Sequence, residues 1–530
     1  MNSTQLTQRW SRLPRETVRR LQAEKLRRYL RDVVVPFSAH YREIFHQHGI
    51  KADNIRTLED LEQIPFSSKA DLVNTPEHPQ KSKDFIIIPD QNVLTHRPST
   101  ILRALINGRE AVRRQFELEF RPIFMTSTTG RSADPVPFLY SQHDIGNLSV
   151  AGGRVMQVCG AQHDWRLINM FPYAPHLAFW LTHYASTEFG IFTLGTGGGK
   201  VMGTDGNLRL MQKIKPDVLI GMPTFLYHVL QHAVEEGQRC ESLKRIVLGG
   251  EKAAEGIRRK LRNLCAKLGS PNVDVLSTYG FTEAKMAWAE CPFPVDEQPT
   301  GYHLYPDLGV IEIVDPKTGV ILPDGTPGEI VFTPLDHRGS VVLRYRTGDV
   351  IEGGLVHEPC PCCGRSLPRL VGKISRNSEV KSMQLDKIKG TLVDFNQLEH
   401  VLDDAPSVGA WQLELRKLKD DPMEMDELIL HVHKLSDVSE EKLSRELNNR
   451  FLERTEIRPN RIVFHDADEI RQLLGVGVLL KELKIADNRP NKTAVAPAAA
   501  LPSSAVAPVS LSPSEGERAG VRGDEITTNR

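Results

Sequence analysis

Thr126-Ser127-Thr128-Thr129-Gly130-Arg131 follows the apolar Ile123-Phe124-Met125. Hydroxyls and backbone N–H groups on such a turn can wrap phosphate oxygens, and a terminal cation offsets their charge. Ser277-Thr278-Tyr279-Gly280-Phe281-Thr282-Glu283 closes one strand-like run and Gly249-Gly250-Glu251 closes another. Strand carboxyl ends are where α/β sheets bind ligands. An aromatic such as Tyr279 can stack there on a base, and a carboxylate such as Glu283 can hold Mg²⁺ beside phosphates. In Arg344-Tyr345-Arg346-Thr347-Gly348-Asp349, a carboxylate placed just after a glycine turn can accept hydrogen bonds from two ribose hydroxyls. The three stretches together point to a nucleotide site.

A fourth group has different chemistry. Cys291, His303 and Cys360-x-x-Cys363 supply thiolates and an imidazole for a closed tetrahedral Zn²⁺ site of structural type, since four protein ligands leave no open position. Cys362 can replace either knuckle cysteine, and buried cysteines without a metal are the other reading. His176 and His228 can touch a carboxylate or satisfy a local hydrogen bond. His431 and His433, two apart on a strand, share a face, and surface is the expected place for them.

These residues need a large scaffold. The chain has 530 residues and 40% hydrophobic and 25% charged positions, a globular composition. Its 67 Lys plus Arg balance 67 Asp plus Glu, which disfavours a bulk nucleic-acid or anionic-membrane binder. The opening residues lack an apolar signal core and no run is long enough to span a bilayer, so a cytoplasmic protein is expected. Seven cysteines argue against a secreted disulfide framework. Apolar spacing predicts an amphipathic helix over 15–33. Runs at 217–221, 245–250 and 273–279 alternate with helical patterns, which predicts α/β layering. Residues 310–315 and 329–333 predict a β-meander. After 369 comes a small α+β unit, with strands at 411–418, 427–435 and 461–465 and a helix at 440–452. Residues 490–530, rich in Ala, Pro, Ser and Val, read as a disordered tail. Residues 75–120 match no assignable pattern.

In order and spacing, MTSTTGR, GGE, STYGFTE, PDGTPGEIVFTPL and VVLRYRTGDV resemble the signature series of the adenylate-forming (AMP-binding) superfamily. IRTLEDLEQIPFSSKADL and CGRSLPRL more specifically resemble the phenylacetate–CoA ligase branch, which includes coenzyme F390 synthetase-like proteins; the resemblance covers about residues 15–489. It implies an α/β fold with a large, multi-subdomain N-terminal ATP- and acyl-binding domain over 1–372, with the zinc knuckle at 360–363. A small mobile α+β lid follows over 373–489, before the tail.

Carried over residue by residue, the resemblance implies that Thr126, Ser127, Thr128, Thr129, Gly130 and Arg131 hold the ATP phosphates. Glu251 and Tyr279 line the adenine site, Gly250, Thr278 and Gly280 belong to the same ATP site, Thr282 meets the α-phosphate, Glu283 holds Mg²⁺ and Asp349 takes the ribose. Lys481 falls at the position of the family's C-terminal lysine, with Lys484 in reserve, and its charge would stabilise the adenylation transition state. Tyr173, His176, Pro223 and Phe225 fall where the family builds its acyl pocket; plain core is the other reading of those aromatics. Ser127 and Leu480 stand where the family has Gly, Arg131 where it has Lys, and Lys373 where it has Arg.

The implied activity is ATP-dependent ligation of a small-molecule carboxylic acid, aryl by the look of the pocket, to CoA. ATP, CoA and Mg²⁺ are the implied cofactors, with a structural Zn²⁺, no nucleic acid, no membrane, and room for a homodimer. Alternatives are transfer to another nucleophile, nucleotidyl transfer to a cofactor, or a catalytically weak nucleotide-binding assembly protein.

Overall fold

The helix Arg15–Tyr29 forms where the apolar spacing predicts it, burying Val18, Leu26 and Tyr29, and a π-helical turn over Leu30–Val34 continues it. The computed structural model describes residues 10–75, 77–128, 135–376, 401–417, 426–435, 438–455, 458–479 and 482–488. All of these belong to one unit, Met1–Thr493. The unassigned region 75–120 contains the helices Gln91–Thr95, Pro98–Asn107 and Arg109–Phe120. The expected tail over 490–530 lies outside the described residues.

Strands β1 (Pro122–Ser127) and β2 (Pro137–Ser141) form an antiparallel pair. The main sheet begins with β3 (Arg166–Asn169), β4 (Phe192–Gly195), β5 (Val218–Gly221), β6 (Arg245–Leu248) and β7 (Asp274–Phe281), all parallel and in the spatial order β4-β3-β5-β6-β7. Every residue of β5 is buried, as the near-continuous apolar run of a strand covered on both faces requires. The sheet then turns antiparallel through β8 (Met286–Ala289) and β9 (Tyr302–His303).

The expected meander is present: β10 (Gly309–Val314), β11 (Gly328–Pro334) and β12 (Tyr345–Ile351) pair antiparallel. Strands β13 (Leu355–Val356) and β14 (Arg369–Leu370) rejoin the main sheet beside β9, and β15 (Ile374–Arg376) pairs with β12. A last sheet holds β16 (Val408–Lys417), β17 (Asp426–Lys434), β18 (Arg461–His465) and β19 (Ile485–Asp487), in the order β18-β17-β16-β19. The helix Glu440–Thr455 packs its Leu443, Leu447 and Phe451 into the core of this sheet. The helix Ala467–Leu474 and β19 were not legible in the sequence. No helix among the described residues is long and apolar enough to cross a membrane.

The C-terminal sheet rests on the helix Glu255–Lys267. A Cβ on Gly256 would stand 1.8 Å from the Asp403 carbonyl, so only glycine allows this approach. Lys260 Nζ donates to the Gly409 carbonyl at 3.2 Å and Arg259 to the Asp404 carbonyl at 3.2 Å.

Candidate active site

The carboxyl ends of β3, β5, β6 and β7 open onto one edge of the main sheet, and their loops are cross-tied. After β6, Gly250 takes φ +79° and Glu251 Oε2 accepts from Thr224 Oγ1 at 2.7 Å, which joins this loop to the one after β5. Thr278 Oγ1 donates to the Leu248 carbonyl at 2.9 Å. A Cβ on Gly280 would sit 2.6 Å from Ala287 Cβ, so the β7–β8 hairpin closes tightly only with glycine there.

That hairpin meets β12. The Tyr279 hydroxyl donates to Asp349 Oδ2 at 2.9 Å, and the Tyr345 hydroxyl donates to Glu283 Oε1 at 2.7 Å. Tyr279 lies nearly parallel to Trp288, with 5.9 Å between ring centroids. Asp349 and Glu283 are both buried, and Thr282 begins the short 3₁₀ turn that carries Glu283. The two arginines of the β12 motif serve the scaffold: Arg344 pairs with buried Glu312 at 2.9 Å, and Arg346 Nε donates to Glu329 at 3.0 Å. Two carboxylates and an aromatic face thus converge at the end of β7, a set suited to a cation, a sugar and a base.

Of the expected phosphate loop, Thr126, Ser127 and Thr128 are described; Thr129, Gly130 and Arg131 lie outside the described residues. The described hydroxyls brace the loop's base. Thr126 Oγ1 lies 3.0 Å from the Tyr140 hydroxyl, Ser127 Oγ donates to the Pro175 carbonyl at 3.3 Å, and Thr128 Oγ1 accepts from Val136 N at 3.0 Å. His176 Nδ1 lies 3.1 Å from the Ser127 carbonyl, so the loop after β3 is tied to the β1–β2 hairpin.

A small, largely apolar cleft lies beside this edge, lined by Met170, Met222, Phe225, Val476, Leu479 and Glu482 among others. Phe225 is thus on its wall. Pro223 is buried at the first turn of the helix Pro223–Glu235, and Tyr173 is half-exposed with its ring centroid 4.1 Å from that of Phe179. Lys481 and Leu480 lie outside the described residues. The reserve lysine, Lys484, contacts Asp403 at 3.2 Å and lies 4.7 Å over the Trp411 ring, within the C-terminal sheet's own packing. His431 and His433 are partly buried rather than on the surface. His431 lies 2.9 Å from His465 Nε2 and 3.1 Å from Glu414, because β16, β17 and β18 bring these side chains side by side.

Past β8, at the antiparallel part of the sheet, Cys291, His303, Cys360 and Cys363 gather with their ligand atoms within 4.8 Å of one another. Cys291 Sγ and Cys360 Sγ are 3.6 Å apart, and Cys363 Sγ is 3.6 Å from His303 Nε2. Tetrahedral Zn–S bonds of about 2.3 Å put sulfurs about 3.8 Å apart, so the set fits zinc. Cys362 is exposed and outside the group. The knuckle turns because Gly364 N donates to the Cys360 carbonyl at 2.9 Å, with Gly364 at φ +68°.

Three site neighbours escaped the sequence reading. Tyr345 had a signal, since it stands in the same Arg344-to-Asp349 motif as Asp349. Thr224 beside Glu251 and Glu482 beside His228 had none, because each pairing joins distant segments.

Residues 151–334 match the family described as AMP-binding enzyme. The chain is 28% identical over 402 residues to a phenylacetate-coenzyme A ligase of Thermus thermophilus, covering 75% of this chain and 77% of that one. It is 26% identical over 373 residues to a phenylacetate-coenzyme A ligase of Aromatoleum evansii, covering 69% and 72%. A solved 2-hydroxyisobutyryl-CoA ligase in the postadenylation state, in complex with 2-HIB-AMP, superposes with a TM-score of 0.70 at 18% identity, covering 91% of this chain and 92% of that one. At that identity the likeness is one of fold.

Proposed function

We propose, from the premise that the chain is an AMP-binding, adenylate-forming enzyme related to the phenylacetate–CoA ligases, that it joins an aryl carboxylic acid to CoA through an acyl-adenylate. The observation that carries this is the pair of hydrogen bonds from Tyr279 to Asp349 and from Tyr345 to Glu283, which bring the β7 and β12 motifs to one place.

In the first step the acid's carboxylate oxygen attacks the α-phosphorus of ATP and pyrophosphate leaves. In the second, the CoA thiolate attacks the acyl carbonyl and AMP leaves. Adenylation turns a poor leaving group into a good one. The Asp349 carboxylate holds the ribose, with Tyr279 fixing its orientation. Glu251 and Tyr279 line the adenine, with Gly250, Thr278 and Gly280 in the same ATP site, and Thr282 meets the α-phosphate. Thr126 to Arg131 hold the ATP phosphates, the described part bracing the loop's base. Glu283 would hold Mg²⁺, which when bound offsets phosphate charge. Lys481 stabilises the charge growing on the carboxylate and α-phosphate oxygens. Tyr173, His176, Pro223 and Phe225 lie around the acyl site, and an apolar cleft with few polar groups suits an aryl acid. Residues 373–489 act as the lid that carries Lys481. Cys291, His303, Cys360 and Cys363 hold a structural Zn²⁺, and the protein works in the cytoplasm on soluble substrates.

The test is product analysis. Protein incubated with Mg·ATP, CoA and phenylacetate or other aryl acids should give equal amounts of AMP, pyrophosphate and aryl-CoA. Release of ADP instead, or AMP left attached to a cofactor, overturns the reading.

A further inference from the structure

The turn that carries Glu283 ends in a strained residue. Lys285 closes the 3₁₀ turn Thr282–Ala284, its N–H donating to the Thr282 carbonyl at 3.1 Å, and it takes φ +54°. A non-glycine residue in the left-handed region costs free energy and persists only where its surroundings hold it. Here the Lys285 ammonium does the holding. It is buried and donates to the Leu139 carbonyl at 2.7 Å and to Asp144 Oδ2 at 3.1 Å, with the two charged side chains 2% and 0% exposed. It also lies 4.7 Å over the Tyr140 ring.

These partners belong to the hairpin that leads into the phosphate loop. Leu139 and Tyr140 stand in β2, and Asp144 stands in the first turn of the helix Gln142–Val158 that follows it. The Tyr140 hydroxyl lies 3.0 Å from Thr126 Oγ1, and β2 pairs with Thr126 and Ser127 of β1. Lys285 is thus two positions from Glu283 in the chain and joined through its side chain to the strand that braces Thr126 and Ser127.

The pair does little for β2 itself. Without Lys285, the Leu139 carbonyl still accepts from Ser340 N at 3.0 Å. Asp144 still accepts from the backbone N–H groups of Ser141 at 3.0 Å, Arg338 at 2.9 Å and Gly339 at 2.7 Å. A buried ion pair adds little net stability, because desolvation of both charges offsets their attraction. What it adds is a fixed distance between two segments.

We infer that Lys285 is a positioning residue: it pins the turn that carries Glu283 to the β1–β2 hairpin and so sets how far Glu283 stands from the base of the phosphate loop. Mg²⁺ binds oxygens at about 2.0–2.1 Å and demands near-ideal octahedral geometry, so a small shift of the turn weakens metal binding. The inference rests on the reading of Glu283 and of Thr126 to Arg131 given above.

The experiment uses the full chain with Lys285→Met, which removes the charge, and Lys285→Gly, which takes φ +54° without strain but carries no pin. Arg154→Met is the control. Arg154 lies on the same helix as Asp144 and pairs with Asp307 at 2.7 Å, between Trp10 and Tyr305 and with no nucleotide-site residue among these partners. The first readout is ATP binding by calorimetry at rising Mg²⁺, which needs neither acid nor turnover. In both Lys285 variants the Mg²⁺ concentration for half-maximal ATP affinity should rise at least about 5-fold, with metal-free ATP affinity within about twofold. Arg154→Met should keep the wild-type Mg²⁺ curve even where its Tm falls as far. The second readout is pyrophosphate exchange with phenylacetate as probe acid, in which the Lys285 variants should lose at least about 10-fold in kcat with KM for phenylacetate within about twofold.

An unchanged Mg²⁺ curve in the Lys285 variants overturns the inference. So does an equal shift in Arg154→Met, which marks a general effect of lost packing, or failure of both Lys285 variants to fold, which makes the residue structural. Wild-type ATP affinity that ignores Mg²⁺ takes the metal away from Glu283 and the inference with it. Wild-type protein that binds Mg·ATP but performs no exchange contradicts the adenylation reading instead, and the binding curves still decide the pin.

Discussion

The Tyr279 hydroxyl donates to Asp349 Oδ2 across 2.9 Å, joining residues 70 positions apart. Of the two elements it links, β7 ends the parallel run of the main sheet and β12 belongs to the meander. The contact therefore ties the meander to the main sheet at the proposed nucleotide site.

Tyr279→Phe keeps the ring and removes this donor. A hydrogen bond to a charged group contributes about 1.5–3 kcal/mol. KM for ATP in pyrophosphate exchange is expected to rise about 10-fold, with kcat changed less. Asp349→Ala should raise it further, and an unaltered KM in both variants would remove Asp349 from the ribose site.

Glu283→Ala should lower adenylation kcat by at least about 100-fold, since the proposed Mg²⁺-holding carboxylate is lost. Tyr345→Phe should act through the same group and raise the Mg²⁺ concentration needed for half-maximal exchange. Magnesium titrations of the two variants check this. A Tyr345→Phe protein with the wild-type magnesium curve would separate Tyr345 from the metal.

Metal analysis should find one zinc per chain. Cys360→Ser and Cys363→Ser should lose it, and Cys362→Ser should keep it, because Cys362 is exposed and apart from the cluster. Stripping the metal should lower Tm by several degrees while KM for ATP stays the same, as a closed structural site implies.

Lys260 is buried against the C-terminal sheet, and burial pushes its ammonium down to about 8. The unfolded chain regains an ordinary lysine near 10.4. Between these values the unfolded state binds more protons, so the contribution of Lys260 to stability rises with pH across that window and is flat outside it. Lys260→Met should flatten this part of the urea-midpoint profile and raise stability at pH 7 by at most about 3 kcal/mol. An identical pH profile in the variant contradicts the assignment.

Strands β5, β6 and β7 were legible because their apolar runs are bounded by turns, and the meander because Asp324-Gly325 sits between two runs. Helices such as Pro98–Asn107 were not, since exposed Leu102, Leu105 and Ile106 hide the usual one-faced pattern. At the site, motif order named Asp349 and Glu283, yet nothing local could show that tyrosines from opposite motifs hold them. The Cys/His set was visible from spacing, whereas the choice of Cys363 over Cys362 needed the knuckle's turn. His228 was seen as a residue able to meet a carboxylate. Glu482 as its partner depends on how the C-terminal sheet docks, which no sequence window contains.

The most direct measurement is ATP–pyrophosphate exchange on purified protein with a panel of aryl and alkyl acids. Exchange that requires both Mg²⁺ and an aryl acid, followed by aryl-CoA formation when CoA is added, is the expected result. Absence of exchange with every acid, in folded protein that still binds Mg·ATP, would contradict adenylation as the function of this site.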